Sequence, residues 1–272
     1  MRKTLINGVD TAQLSVYDRA VQYGDGLFET IAVLDGEPLQ WQRHMDRLQA
    51  GCERLFIVCP EPDSLLQQTL SLSQGLARAV IKIIVSRGTG ERGFRINRET
   101  PVTTVISLSD WPEYPSDYRS SGVKVISCQT QLARQPALAG IKHLNRLEQI
   151  MARAEWTDET ITEGIVCDSD GNVIEGTMTN LFFIQSGSVI TPELSDCGVA
   201  GTMRQMVIDG CEDLGIDFRF ESMNLAQAKA ADEIFLTNSL IQVWPVRQWD
   251  DKTYTVNGAI LTNLKNYINK KR

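Results

Sequence analysis

The sequence predicts a protein of mixed α/β class (α+β) that is built from two domains. In both halves, runs with a two-residue apolar period, typical of strands, alternate with stretches of three- and four-residue spacing, typical of helices. The chain has 272 residues, more than one average domain needs. A stretch with two prolines and no periodicity, residues 109–118, lies near the middle. We therefore expect a smaller domain at 1–112, a linker at 113–122 and a larger domain at 123–272.

Composition and charge exclude several classes of protein. The 34 acidic and 27 basic residues give a net charge of −7, which argues against a protein that binds nucleic acid by neutralising phosphates. No apolar run approaches the roughly 18 residues of a membrane span, and the N-terminus lacks the apolar core of a signal peptide. The six cysteines form no close C-x-x-C pair, and with two histidines a metal site is not expected. We expect a cytoplasmic protein with reduced thiols and a small-molecule partner.

In the first half, apolar alternation predicts three long strands. They are Gly26–Leu34, Ala79–Arg87 and Val102–Leu108. Asp35-Gly36 has the composition of a hairpin turn and leads into a short strand within Glu37–Trp41. From Trp41 to Ile57 the apolar residues recur every three or four positions, which predicts a helix with one buried face.

The second half begins with a predicted strand, Val123–Cys128, and continues with a helix near His143–Trp156. That helix would bury one face formed by Leu144, Leu147, Met151 and Ala154. Two hairpins are predicted around the turns Ser169–Gly171 and Ser186-Gly187. The remaining predicted elements are a helix at Thr202–Leu214 and strands at Asp217–Phe220, Glu233–Thr237 and Ile241–Val246.

Lys142 is a candidate nucleophile, because it lies in a short apolar segment that enters the predicted helix. Desolvation and the positive end of the helix dipole would both lower the pKa of its amine, and a neutral amine can form a Schiff base. The alternative from the pattern alone is a lysine whose ammonium group reaches solvent.

Three further positions have both a functional and a plainer interpretation. Glu175 ends a predicted strand and is either a functional carboxylate or an exposed strand residue. Arg47 lies at the edge of the buried face of its helix and could form a surface ion pair. Thr202 begins a helix after a glycine, where free backbone N–H groups can bind a phosphate, although helix capping explains a threonine there equally well.

In combination, these positions resemble the fold-type IV pyridoxal-phosphate enzymes, a family with the D-amino-acid aminotransferase-like fold. The family includes branched-chain aminotransferases, D-amino-acid transaminases and aminodeoxychorismate lyases. Glu175–Phe182 resembles the family motif E-x-x-x-x-N-[LF]-[FY], and His44–Leu48 resembles its H-x-x-R-L helix. Gly201–Arg204 and Thr237–Ser239 follow in the expected order.

The resemblance implies a role for each of these residues. Lys142 would be the catalytic residue and bind pyridoxal 5′-phosphate covalently, Glu175 would pair with the pyridine nitrogen, and Arg47 would bind the phosphate. Further contacts to the cofactor are implied for Thr202, Met203, Thr237, Ser239 and Asn180. The family resemblance also implies a homodimer with its active site between the domains and near the partner chain.

Two segments are similar to those of the aminodeoxychorismate lyases in particular, Ala139–Gln149 and Arg87–Phe94. The resemblance implies elimination of pyruvate from 4-amino-4-deoxychorismate, which yields p-aminobenzoate for folate biosynthesis. The substrate carries two carboxylates, so cationic anchors are needed. Arg92 is the first candidate, with Phe28 and Thr30 as further substrate contacts and with weaker candidates in Arg87 and Arg95.

Two alternatives remain at this point. The first is a branched-chain or D-amino-acid aminotransferase on the same fold, since proton abstraction at the amine carbon is common to both reactions. The second is a non-catalytic small-molecule binding protein, against which the retained set of Lys142, Glu175 and Arg47 argues.

Overall fold

A computed structural model describes residues 3–271 of the chain. Three terminal residues that fall within the predicted domain bounds lie outside the described residues: Met1, Arg2 and Arg272. The described chain divides into two compact units. The first contains the residues up to Glu113 and the short segment Ile141–Asn145, and the second contains Tyr114–Gly140 and the residues from Arg146 onward.

The first unit consists of an antiparallel sheet and three helices. Its strands are β1 (Lys3–Ile6), β2 (Val9–Asp10), β3 (Gly26–Leu34), β4 (Glu37–Pro38), β5 (Arg78–Ser86) and β6 (Thr103–Ser109). Its helices are α1 (Arg19–Tyr23), α2 (Trp41–Leu55) and α3 (Pro62–Ser73). The six strands pair in the order β2-β1-β6-β5-β3-β4, so that the three predicted long strands lie side by side in the middle.

Helix α2 packs on β3, and the single buried face that its sequence pattern predicts is confirmed. Its buried apolar side chains are Met45, Leu48 and Cys52. Gly51 allows this close packing, because a Cβ at that position would lie 2.9 Å from the methyl carbons of Leu27. The helix therefore fixes the side chains on its inner face relative to β3.

Two local features of the first unit differ from the sequence expectation. The strand expected within Glu37–Trp41 ends at Pro38, because Gln40 has a left-handed backbone with φ of 55° and turns the chain into α2. Helix α3 was not predicted, since its buried face mixes Thr69 and Ser73 with leucines and so hides the apolar period.

The second unit contains nine strands and five helices among the described residues. The strands are β7 (Val123–Leu132), β8 (Ile161–Asp168), β9 (Val173–Gly176), β10 (Asn180–Gln185), β11 (Ser188–Thr191), β12 (Phe218–Phe220), β13 (Glu233–Asn238), β14 (Gln242–Trp249) and β15 (Lys252–Thr253). The helices are α4 (Tyr118–Ser121), α5 (Leu147–Arg153), α6 (Thr202–Leu214), α7 (Leu225–Lys229) and α8 (Ala259–Lys270).

This sheet closes on itself. Its strands pair in the order β12-β11-β10-β13-β14-β7-β8-β9, and β15 adds to β14. Strand β9 also pairs with β10 through Glu175 and Asn180, which connects the last strand back to the third. Strands β10, β13, β14, β7, β8 and β9 therefore form a ring, and each strand of this ring pairs with a described strand on both sides.

The core of the second unit includes a layer between this sheet and the helices α6 and α8. Phe182 and Phe235, on neighbouring strands, stack with ring centroids 4.9 Å apart. The apolar faces of α6 and α8 cover them with Val207 from α6 and Leu261 and Leu264 from α8. Helix α6 begins and ends where the sequence predicts, because glycines bound it at both ends.

Helix α5 is shorter than predicted, and its expected buried face is wrong. It begins only at Leu147, because the preceding residues bond to β3 rather than continuing a helix. The exposed fraction is 74% for Leu147 and 61% for Met151, and Ile150 between them is 60% exposed. In this chain by itself, α5 thus presents an apolar face to solvent.

In the predicted linker, Tyr118–Ser121 form α4, and Tyr114 and Tyr118 contact the ring of Trp244 edge-on. These contacts attach the linker to the second unit. No helix of the described chain has the length and apolar character that a membrane span requires.

The aromatic stack of the second unit leads to a prediction about the free energy of unfolding. Phe182→Ala removes a fully buried ring and leaves a cavity against Phe235, so we expect a loss of about 3–5 kcal/mol in the free energy of unfolding. Phe220→Ala, at a half-exposed position of the same unit, is the control and should cost less than about 1 kcal/mol. Denaturant unfolding of both variants measures the difference, and equal losses would contradict a core centred on this stack.

Candidate active site

Lys142 lies beside β3 in the first unit. The N–H of Phe28 donates to the carbonyl of Lys142, and the N–H of Leu144 donates to the carbonyl of Gly26, both at 2.9 Å. The ammonium nitrogen of Lys142 lies 4.4 Å from the centre of the Phe28 ring. The sequence analysis assigned this segment to the larger domain, and the structure groups it with the first unit because of these backbone bonds.

The predicted role of the helix dipole at Lys142 is wrong. Helix α5 starts at Leu147, and the dipole acts only within the first turn of a helix. The apolar environment remains, since Lys142 is half-buried and its amine lies over an aromatic face. Tertiary packing on β3, and not a helix terminus, therefore positions this amine.

Arg47 is held by a buried carboxylate, Glu29 of β3. Its Nε donates to Glu29 Oε1 at 2.8 Å and its Nη2 donates to Glu29 Oε2 at 2.5 Å, so two parallel bonds fix the guanidinium plane. His44, one helical turn earlier on α2, lies with Nδ1 2.6 Å from Glu29 Oε2. The surface ion pair considered from the sequence is thus replaced by a buried one, since Glu29 is 1% exposed.

Charge explains why Glu29 can be buried there. Burial by itself raises the pKa of Glu29, but the charge and hydrogen bonds of Arg47, with the hydrogen bond to His44, outweigh it and hold the pKa at about 2. Burial also lowers the pKa of His44 below its usual value. Glu29 therefore stays ionised near neutral pH and keeps Arg47 in one orientation.

Glu175, Asn180 and Thr237 lie in one row across three strands. Glu175 of β9 is the register partner of Asn180 of β10, which in turn is the partner of Thr237 of β13. Register partners on adjacent strands project to the same face of a sheet. The pairing that closes the ring thus brings together three residues that the family resemblance assigns to the cofactor.

Hydrogen bonds fix two of these side chains. Val199 N–H donates to Glu175 Oε2 at 2.8 Å, and Asn180 Nδ2 donates to the carbonyl of Val199, also at 2.8 Å. Gln149 Nε2 donates to the other oxygen of Glu175 at 3.3 Å. Glu175 is only 4% exposed, so the plainer interpretation as an exposed strand residue is wrong.

Thr237 differs from its neighbours in this row. It is fully buried, and its hydroxyl has no hydrogen-bond partner among the described residues. A buried hydroxyl without a partner costs free energy, so this group fits a site where a ligand supplies the partner.

The turn between Glu175 and Asn180 folds around a second buried carboxylate, Glu163. Its oxygens accept from the N–H and hydroxyl of Thr177, the N–H of Met178 and the hydroxyl of Thr179, at 2.5–3.1 Å. Burial raises the pKa of Glu163, and these hydrogen bonds oppose that rise. The sequence pattern did not indicate Glu163, since β8 also contains Thr162 and a second acidic residue, Asp168, and an acidic residue inside a strand is only a weak signal of a buried carboxylate.

Helix α6 begins beside Asn180. Gly201 is the residue that precedes the helix, and a Cβ there would collide with Asn180 Oδ1. Because glycine has no side chain to cap the first turn, the N–H groups of Thr202 and Met203 are not capped by that residue. The explanation of Thr202 as the capping residue is wrong, since Thr202 is the first residue of the helix itself.

Ser239 lies in the tight turn between β13 and β14. Asn238 organises this turn, because its Oδ1 accepts from the N–H groups of Leu240 and Ile241 at 2.9 Å. Its Nδ2 donates to the carbonyl of Met178, in the turn that Glu163 supports. Side-chain hydrogen bonds therefore connect the turn between β13 and β14 to the turn after Glu175, and they connect Asn180 to the loop before α6.

The candidate substrate residues are more dispersed in the first unit. Phe28 and Thr30 are two residues apart on β3 and share one face. Arg92 is exposed in the glycine-rich loop, and in the described part of the chain no hydrogen bond or ion pair holds its guanidinium. Sequence analysis missed Lys82, which is the register partner of Thr30 and lies with its ammonium 4.9 Å from the Phe28 ring centre.

Arg87 has a structural role and is not a substrate anchor. Its guanidinium donates to both oxygens of Asp25, at 2.8 and 3.0 Å, and to the carbonyls of Leu55 and Phe56 at 2.7 Å. These bonds attach the end of α2 to the start of β3 and occupy the side chain. Arg95, the other weaker candidate, is exposed.

No group of three or more potential metal ligands occurs among the described residues, and the cysteines described there are free thiols. The first unit offers an amine and a fixed guanidinium, which suit a carbonyl carbon and an anion. The second unit offers a buried carboxylate with both oxygens bonded, an unpartnered hydroxyl and a helix terminus without a side-chain cap.

Comparison with known proteins gives consistent matches along the chain. A family model for amino-transferase class IV matches residues 26–249. The aminodeoxychorismate lyase of Vibrio harveyi is 36% identical over 242 residues, which cover 89% of each chain. The crystal structure of 4-amino-4-deoxychorismate lyase from Pseudomonas aeruginosa superimposes with a TM-score of 0.93 at 40% identity and covers 98% of both chains.

A branched-chain aminotransferase from Thermoproteus uzoniensis superimposes with a TM-score of 0.87 at 20% identity, covering 99% of this chain and 94% of that one. At this identity the similarity concerns the fold alone. Together these matches confirm the predicted fold class, a mixed α/β fold of the fold-type IV aminotransferases.

The buried pair of Glu29 and Arg47 makes a prediction about acid stability. The pKa of Glu29 is about 2 in the fold, below the usual value of 4.5, so its stabilising contribution is complete above about pH 4.5 and is lost as the pH falls towards 2. The shift corresponds to roughly 3 kcal/mol. Glu29→Gln should therefore lower the free energy of unfolding at pH 7 and flatten its decline between pH 5 and 3, as measured by denaturant titration.

Glu99→Gln, at an exposed position of the same unit, is the control and should follow the wild-type pH profile. If Glu29→Gln shows the same pH dependence as the control, Glu29 does not carry this acid sensitivity.

Proposed function

The chain belongs to the amino-transferase class IV family, and from this membership we propose that it is a carbon–oxygen lyase dependent on pyridoxal 5′-phosphate. Its substrate is 4-amino-4-deoxychorismate, and its products are pyruvate and p-aminobenzoate, a precursor in folate biosynthesis. The observation that carries this proposal is the similarity to two enzymes named as lyases for this substrate, at 36% and 40% identity along nearly the whole chain.

The residues present fit the cofactor. Lys142 supplies the amine that binds it covalently, Arg47 binds the phosphate through its fixed guanidinium, and Glu175 faces the pyridine nitrogen. The N–H groups of Thr202 and Met203 add helix-terminal donors to the phosphate. The remaining proposed contacts are the side chains of Thr237, Ser239 and Asn180. The unpartnered hydroxyl of Thr237 and the glycine before α6 support this assignment, because both leave donors for a ligand.

When bound, the cofactor withdraws electrons and stabilises negative charge on the carbon next to the substrate nitrogen. Glu175 keeps the pyridine nitrogen protonated, and its two hydrogen-bond donors support the charged form of its own carboxylate. Lys142 takes the proton from the carbon that bears the amino group. The carbon–oxygen bond to the enolpyruvyl group then breaks, and the departing group takes up a proton to become pyruvate. The substrate ring is left aromatic, and no water or oxidant is consumed.

Substrate carboxylates require cations, which the protein provides locally against its net charge of −7. We propose Arg92 as the anchor for one carboxylate, with Phe28 and Thr30 contacting the substrate from β3. The exposed position of Arg92 in a glycine-rich loop supports this role, since a loop can close over a bound substrate.

We further propose that the chain forms a homodimer in the cytoplasm. The apolar face of α5, formed by Leu147, Ile150 and Met151, supports association, because an exposed apolar patch of this kind usually marks an interface. The free cysteines are consistent with a reducing compartment.

A paired assay tests the function. Purified enzyme receives enzymatically made 4-amino-4-deoxychorismate in one reaction, and amino acids with 2-oxoglutarate in the other. We expect release of pyruvate and p-aminobenzoate in the first, with a fall on the order of 10³-fold in Lys142→Ala. Lys270→Ala, an exposed lysine, should keep full activity.

Glutamate formation in the second reaction without product in the first would instead identify an aminotransferase. If the wild-type protein shows no visible absorbance from bound cofactor, and Lys142→Ala leaves its spectrum unchanged, the cofactor assignment fails and a binding protein without chemistry is favoured.

The dimer has its own test. Met151→Glu places a charge in the apolar face of α5, and we expect it to shift the mass measured by light scattering from two chains to one. Gln67→Glu, on the exposed surface of α3, should leave the mass unchanged. A wild-type protein that is monomeric at all concentrations would contradict the proposal.

A further inference from the structure

Glu175 receives hydrogen bonds from two directions within the second unit. The backbone N–H of Val199 donates to Oε2 at 2.8 Å, and the side-chain amide of Gln149 donates to Oε1 at 3.3 Å. The first donor is part of the backbone, so it is fixed by the fold. The second comes from a side chain in the first turn of α5, and it is therefore the one that a different residue at position 149 would remove.

Gln149 is placed for this contact by the short helix α5. The exposed residues of that helix, Leu147 and Ile150, point to solvent, while Gln149 points inward and its Oε1 is inaccessible to water. Arg146, which directly precedes α5, is half-buried, and its charge is attracted by Glu175. One side of α5 thus presents a donor and a positive charge to the same carboxylate.

This arrangement matters because Glu175 is 4% exposed. A carboxylate removed from water keeps its charge only where N–H donors or cations replace the lost hydration. A carboxylate that pairs with a protonated ring nitrogen must also keep one orientation, since hydrogen bonds to carboxylates weaken when they leave the carboxylate plane. Bonds to both oxygens, from donors on different elements, restrict rotation of the group.

We propose that Gln149 is a positioning residue, which keeps Glu175 ionised and oriented so that the cofactor's ring nitrogen stays protonated. Gln149 contacts neither the substrate nor the reacting atoms. This inference rests on the proposed function, since it assigns Glu175 to the pyridine nitrogen. It extends that function, because a side chain of α5 then affects the protonation state of the cofactor's ring nitrogen.

The test compares three holoenzymes: wild type, Gln149→Leu and Gln149→Glu. Leucine keeps the approximate volume but removes the donor. We expect Gln149→Leu to raise the dissociation constant for pyridoxal phosphate about tenfold and to lower kcat by a similar factor, with KM changed less than twofold. The pH titration of the bound cofactor's absorbance should shift so that the ring nitrogen loses its proton at lower pH.

Gln149→Glu is nearly isosteric and separates positioning from packing. Its carboxyl group can donate to Glu175 only while protonated, and at higher pH two carboxylates face each other. We therefore expect the spectrum and cofactor affinity to resemble wild type at low pH and Gln149→Leu, or worse, at high pH. A role in packing alone would leave Gln149→Leu, which keeps the approximate volume, close to wild type in the spectral titration.

Gln67→Leu, an exposed glutamine on α3, is the matched control and should leave every readout unchanged. The inference is overturned if wild type binds the cofactor and both Gln149 variants match it in affinity, in spectral titration and in kcat. It is also overturned if Gln149→Glu loses affinity equally at all pH values. Failure of the proposed function differs from both: wild type then either binds no cofactor or binds it and releases no pyruvate and p-aminobenzoate in the paired assay.

Discussion

The pairing of Glu175 with Asn180 is the constraint on which the second unit depends. This one contact between β9 and β10 closes the ring of strands, and it also begins the row that continues to Thr237. The pairing that closes the sheet therefore also places these three residues side by side. The turn between the two residues contains few apolar side chains, so it is held by polar bonds to the buried carboxylate of Glu163 rather than by packing.

Carboxylates that are wholly or largely removed from water recur as the means by which this protein fixes arginines and a turn. Glu29 fixes the guanidinium of Arg47, Glu163 fixes the turn after Glu175, and Asp25 holds Arg87 at the start of β3. In each case burial opposes the charge of the carboxylate. The donors outweigh burial at Glu29 and Asp25, and at Glu163 they oppose it only in part. The gain is a fixed orientation, which a loosely solvated surface ion pair does not provide.

Electrostatics also reconciles the acidic total charge with anionic ligands. A net charge of −7 repels a phosphate and a dicarboxylate at long range, although salt screens this repulsion beyond about 10 Å. Attraction must therefore come from groups close to the ligand, and the proposed function assigns this role to the guanidinium of Arg47, the amine of Lys142 and the N-terminus of α6. Glu29 neutralises part of the charge of Arg47 and fixes the direction of its guanidinium.

The sequence by itself determined the strong local elements and the family to which the chain belongs. Periodicity located β3, α2 and α6 with nearly correct bounds, because their apolar spacing and glycine boundaries are local properties. The order of the motifs also predicts roles for Lys142 and Glu175, since a family's chemistry restricts residue types more strongly than it restricts their surroundings.

Only the tertiary structure decided what surrounds those groups. The partnership of Glu29 with Arg47, the role of Glu163 and the contact of Gln149 with Glu175 join residues that lie far apart in sequence or on different elements. Lys142 was expected at a helix terminus, yet its segment pairs with β3, because a strand edge with unpaired backbone groups competes for the same N–H and carbonyl groups. The local sequence pattern cannot show whether this segment continues a helix or pairs with β3, since β3 lies in another part of the chain.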